Sequence, residues 1–112
     1  MQKFEYRAPR YEVDLPVQLT VEGSSVMGRC KEISKEGVKA EFPQPLPQNA
    51  TGILLVRYRE VALEVRVRVA HAGPNYDGLK FLFGSDADRK NAEHLVAMLT
   101  ATARRLGPVL VK

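Results

Sequence analysis

Between residues 61 and 70 every second side chain is aliphatic: Val61, Leu63, Val65, Val67 and Val69 alternate with Ala62, Glu64, Arg66, Arg68 and Ala70. In an extended chain successive side chains point to opposite faces, so this run makes a strand with one buried and one wet face. A helix would scatter the same valines around its circumference. The pattern recurs at Val13, Leu15, Val17, Leu19 and Val21, with Asp14, Gln18 and Thr20 between them. Pro16 lies inside this run and has no N–H to give, which predicts an edge position or a bulge. Further strands are predicted over 26–33, 38–42, 52–58 and 78–83. They are punctuated by Glu22-Gly23-Ser24-Ser25, Ser34-Lys35-Glu36-Gly37, the proline-rich stretch 43–49 and Gly73-Pro74-Asn75.

After residue 84 the period changes. Ser85 and Asp88 form a capping-box-like start, and Asp86 suits the positive end of a helix. Ala92, Leu95, Val96, Leu99, Ala103 and Leu106 then share one helical stripe, and Gly107-Pro108 ends it, predicting a helix over 85–106. Six strands followed by one helix make no βαβ crossovers, so the sheet is antiparallel. The predicted fold is all-β with a C-terminal helix: a closed or nearly closed six-stranded antiparallel β-barrel, which abolishes its edges, with the helix over an open end or flank. One domain over 11–112 follows a basic arm at 1–10.

With 112 residues, the chain has room for one compact domain and none for a separate output domain. Its 45% hydrophobic content argues against a disordered tail, and its 27% charged residues argue against a membrane core. No apolar run approaches the ~20 residues of a membrane span, and the N-terminus lacks the apolar centre of a signal peptide. The expected compartment is the cytoplasm. A single cysteine rules out a disulfide framework within the chain. The formal net charge of +4 suits an anionic ligand, although such an excess also serves solubility alone.

Two polar clusters stand out. Tyr6-Arg7-Ala8-Pro9-Arg10-Tyr11 sets two guanidinium groups beside two rings, and Glu32-Ile33-Ser34-Lys35-Glu36-Gly37 sets a carboxylate and a hydroxyl two residues apart. Strand geometry aims that pair to one side, and Gly37 permits a positive φ or a close backbone approach. Guanidinium groups grip phosphates and the O6/N7 edge of guanine, while a carboxylate and a hydroxyl accept from its N1 and N2 donors. The clusters therefore match an anionic guanine nucleotide. They also match a solvated arm followed by an ordinary polar turn.

The order of these segments resembles the PilZ domain family. Arg10-Tyr11-Glu12-Val13-Asp14-Leu15-Pro16-Val17, then Glu32-Ile33-Ser34-Lys35-Glu36-Gly37-Val38, follow its pattern of an RxxxR arm, an extended strand and (D/N)xSxxG. Gly78-Leu79-Lys80-Phe81 looks like the family's late strand. The resemblance implies a non-catalytic cytoplasmic receptor for the bacterial second messenger cyclic di-GMP, with no cofactor and no metal. By position, Arg10 matches the second arginine, Ser34 the serine and Gly37 the glycine. Two positions depart from the pattern: Tyr6 holds the first-arginine place, with Arg7 one residue late, and Glu32 stands where Asp or Asn is expected. The ligand-binding set implied is Arg7, Arg10, Glu32, Ser34 and Gly37, with an unidentified protein effector downstream and the oligomeric state open. A degenerate family member that works purely as a protein-interaction module is the alternative.

The remaining residues read as structural. Cys30 lies mid-strand as a small packed side chain, and no cysteine or carboxylate cluster gives His71 or His94 metal-ligand spacing. His71 reads as a surface histidine, with a guanine contact at the barrel rim as the alternative. Tyr58 and Tyr76 read as rim packing, and Arg57, Arg59, Arg66 and Arg68 as a solvated basic face. No phosphate loop, nucleophile elbow or acid/base pair is visible, so no enzyme is expected. A nucleic-acid-binding barrel would stack bases on strand aromatics, and here aromatics are only 7% of the chain.

Overall fold

The computed structural model describes residues 5–6, 10–100, 104–105 and 110–111. A short strand β1 (Glu5–Tyr6) precedes six long ones: β2 (Tyr11–Val21), β3 (Ser24–Ile33), β4 (Gly37–Glu41), β5 (Thr51–Tyr58), β6 (Val61–Ala72) and β7 (Asp77–Leu82). Helix α1 (Asp86–Thr100) and the two-residue strands β8 (Arg104–Arg105) and β9 (Leu110–Val111) follow. The long strands pair antiparallel in the ring β2-β3-β4-β7-β6-β5, and β5 pairs back with β2. The result is the closed six-stranded antiparallel barrel with one helix that the alternation predicts.

The hairpin between β2 and β3 is tighter than the four-residue turn expected. Val21 already faces Ser24, so Glu22 and Gly23 form the whole loop, with φ of 53° and 80°. Two positive φ values make the turn whose twist matches that of the flanking strands. Pro16 is accommodated beside a bulge: the β2–β3 register shifts between Glu12 and Leu15, and pairing with β5 begins only at Val17.

Inward-facing Val17, Leu19, Leu54, Val56, Val67, Val69, Leu79 and Phe81 are buried in one cluster with Ala92, Leu95, Val96 and Leu99 of α1, which packs on β6 and β2. Leu46, from the connection 43–49, joins the same core. Gln48 fastens that connection to β6, donating to the Ala70 carbonyl (2.9 Å) and accepting from the Ala72 amide (3.0 Å). Cys30 is fully buried, its thiol 3.2 Å from the Glu32 carbonyl. Burial pushes the thiol pKa up to about 12, so it is a packing residue without thiolate chemistry near neutral pH.

At the start of α1 the Asp88 amide donates to Ser85 Oγ (3.2 Å), and Asp88 Oδ2 accepts from the Gly84 amide (3.2 Å). The other end corrects the expected extent of 85–106. Helix α1 spans Asp86–Thr100 among the described residues, and Arg104–Arg105 pair with Tyr11–Glu12 instead of continuing it. The stretch of β2 before Val17 lies outside the β5 register, so its open edge offers a ladder to the returning chain.

Candidate functional site

Two bulges decide which side chains meet. The β3–β4 register shifts between Cys30 and Glu32, and the β6–β7 register shifts between Val69 and His71. An extra residue flips the parity of a strand. Cys30 and Val69 therefore face the core, while Glu32 and His71, two residues further on, line an open cavity of about 580 Å³. The cavity crosses the wall made by β3, β4, β7 and the end of β6. Gly37, Gly78 and Ala70 give it a floor carrying at most a methyl, and Lys39, Lys80 and Tyr76 stand around it.

Four of the five expected site residues come together here: Arg10, Glu32, Ser34 and Gly37 all line the cavity. Arg7 lies outside the described residues. Ser34 is 8% exposed; its Oγ accepts from the Glu36 amide (3.0 Å) and its own amide donates to the Gly37 carbonyl (2.9 Å). That turn leaves the hydroxyl proton free to donate into the cavity. The Glu36 carbonyl accepts from the Phe81 amide (2.9 Å), pinning the turn to β7. Gly37 serves the close approach rather than a positive φ: a Cβ there would run into the Leu79 carbonyl oxygen of β7.

Glu32 is already engaged. Its Oε1 accepts from Arg10 Nη1 at 3.0 Å and its Oε2 from Lys39 Nζ at 3.4 Å, with the Glu32 side chain only 18% exposed. The methylene it has beyond Asp lets one carboxylate span both cations. Arg10 Nε is buried and has no hydrogen-bond partner among the described residues. An unmet buried donor costs about 1–3 kcal/mol, a cost an incoming acceptor removes. With Lys80, three cations face two carboxylates, Glu32 and Glu36, around the cavity. That excess suits phosphate oxygens.

Lys39 and Tyr76 escape the sequence reading as groove residues, while His71 lies on the groove, where a guanine contact is its alternative reading. Lys39 Nζ sits 4.3 Å from the centroid of the Tyr76 ring, and the His71 ring is 5.0 Å from it at 34°. The Lys39–Tyr76 contact is worth about 0.5–1 kcal/mol at such an exposed position. The turn that presents Tyr76 is held by the Gly73 amide donating to the Tyr76 carbonyl (3.2 Å) and by Asp77 behind it, 5% exposed. Burial raises the Asp77 carboxyl above its ordinary range, against the opposing pull of the Gly73 backbone and His71. Such a raised acid stabilises the fold below its unfolded-state pKa of about 3.9 and loses that contribution as pH climbs through the folded value. Asp77→Asn, which keeps an acceptor and removes the charge, should therefore gain on wild type as pH rises from about 4 to 7. Urea denaturation across that range checks it, and a pH-independent difference refutes it.

Among the described residues no three His, Cys, Asp or Glu side chains converge to hold a metal, and no helix is long and apolar enough to cross a membrane. The architecture is that of a small closed β-barrel with a cationic groove in its wall. The sequence pattern of the PilZ domain matches residues 5–101, and the chain belongs to that family. Its fold is similar to the PilZ domain of CeSA from a cellulose-synthesizing bacterium, with a TM-score of 0.72 at 17% identity, over 81% of this chain and 97% of that one. It is also similar to the Bacillus subtilis inhibitor of motility MotI/DgrA (TM-score 0.68, 14% identity, 91% of this chain and 54% of that one). A third likeness is to MrkH, a c-di-GMP-dependent transcription regulatory factor (TM-score 0.65, 17% identity, 88% of this chain and 52% of that one). The chain thus matches about half the length of MotI/DgrA and of MrkH. No match is found among curated protein sequences.

Proposed function

We propose that this chain is a non-catalytic cytoplasmic receptor for cyclic di-GMP, passing the signal to a protein effector. One observation carries the reading: Arg10, Glu32, Ser34 and Gly37, from the arm, β3, the turn and β4, converge on one groove with Lys39 and Lys80. Arg10 and the lysines meet phosphate, Glu32 and Ser34 meet the guanine edge, and Gly37 keeps the wall low enough for a planar base. Arg7 belongs to the same set through its place in the arm. MrkH, similar in fold, is itself a c-di-GMP-dependent protein.

The second reading, an interaction module that no longer takes the nucleotide, draws on the Glu32 ion pairs. They satisfy that carboxylate with no ligand present. Calorimetric titration with cyclic di-GMP separates the two. Binding is expected, weakening with added salt because the phosphate contacts are screened. Tyr6 lies in β1, at the family's first-arginine position. Tyr6→Arg should tighten binding by about 1 kcal/mol by adding a cation for phosphate, partly offset by side-chain ordering. Wild type and Tyr6→Arg both silent, in proteins with unchanged cooperative melts, would favour the interaction module.

A further inference from the structure

We propose that Tyr76, with His71 beside it, is a stacking subsite for a purine base, and that Lys39 covers it until the base arrives. The inference rests on the groove being a cyclic di-GMP site and extends it to residues outside the family motifs. Tyr76 is 38% exposed and lines the groove. One neighbour of the ring is the Lys39 ammonium, 4.3 Å from its centroid; another is the His71 imidazole, 5.0 Å away. An ammonium over a ring marks a face that is electron-rich and open to solvent.

A purine stacked on that face gives more than the exposed ammonium it displaces, because base–aromatic stacking is the stronger contact. Displacement strands no charge. Lys39 Nζ already lies 3.4 Å from Glu32 Oε2, a carboxylate that keeps it paired when it leaves the ring. The floor of Gly37, Gly78 and Ala70 leaves the space beside the ring clear for a flat group. Holding the ring steady is the Gly73–Tyr76 turn, whose backbone hydrogen bond any side chain at 76 retains.

The chain contains no tryptophan, so Tyr76→Trp places a single emitter at this position. Its emission should be quenched on titration with cyclic di-GMP and, at millimolar concentration, with GMP alone. In calorimetry Tyr76→Ala should bind cyclic di-GMP about tenfold more weakly, and Tyr76→Phe should match wild type, since the ring stacks without its hydroxyl. Wild-type binding with unchanged affinity in Tyr76→Ala overturns the subsite and leaves the receptor reading standing. A wild type silent toward cyclic di-GMP, with Tyr76→Trp still quenched by GMP, overturns the receptor reading and keeps the subsite. Silence in both overturns both. Unchanged melting temperatures in the variants establish that the barrel is intact.

Discussion

Gly37→Ala should destabilise the barrel by about 1–3 kcal/mol, toward the upper end, and weaken nucleotide binding with it. The added methyl would run into the Leu79 carbonyl oxygen, which is backbone within the β4–β7 ladder and has no rotamer through which to escape. Relief requires β4 to move off β7. That movement pulls on the turn whose Ser34 amide meets the Gly37 carbonyl and whose Glu36 carbonyl holds the Phe81 amide. The melting temperature should fall by roughly 5–15 °C. Gly78→Ala is the matched control on the same groove: its Cβ would find His71 Cβ at 3.4 Å and the His71 amide nitrogen at 4.0 Å, ordinary contacts, so its melt should barely change. Equal melts for the two alanine variants would show that β4 and β7 have slack at this point.

Arg10→Ala should cost about 1.5–3 kcal/mol of cyclic di-GMP affinity, the scale of a charged hydrogen bond, while changing stability by no more than about 1 kcal/mol. The two effects separate because Arg10 is 40% exposed at its side chain, so its pair with Glu32 is screened in the free protein. Its Nε, buried with no partner among the described residues, is a donor that an arriving acceptor can satisfy. Arg10→Lys should fall between, keeping the charge and losing the planar fork. The salt dependence of binding should also flatten in Arg10→Ala, since one phosphate contact is gone. Unchanged affinity in that variant removes Arg10 from the site.

Much of the barrel was legible because alternation is a local signal: all six long strands lie where the aliphatic period places them, to within a few residues. The start of the helix was legible for the same reason, since Ser85 and Asp88 act within one turn. Its end was not. The stripe through Ala103 and Leu106 continues the helical pattern, yet the open ladder at Tyr11–Glu12, far away in sequence, captures Arg104–Arg105. The groove divides in the same way. Arg10, Glu32, Ser34 and Gly37 form recognisable strings, whereas Lys39, His71, Tyr76 and Lys80 meet only through strand register. His71 was harder still. It continues the in-phase series Val65, Val67, Val69, and only the bulge after Val69 turns it out of the core.

The groove floor also bears on how such a site disappears. Gly37, Gly78 and Ala70 shape it by what they lack, so the recess exists through missing atoms rather than through any charged group. A bulkier residue at 78, where the backbone leaves room for a side chain, would plug the recess while every arginine, glutamate and serine around it stayed in place. The proposed nucleotide site can thus be lost in one substitution that preserves both the fold and its polar signature. For that site a full set of charged residues is not sufficient, because the recess beneath them must also stay empty.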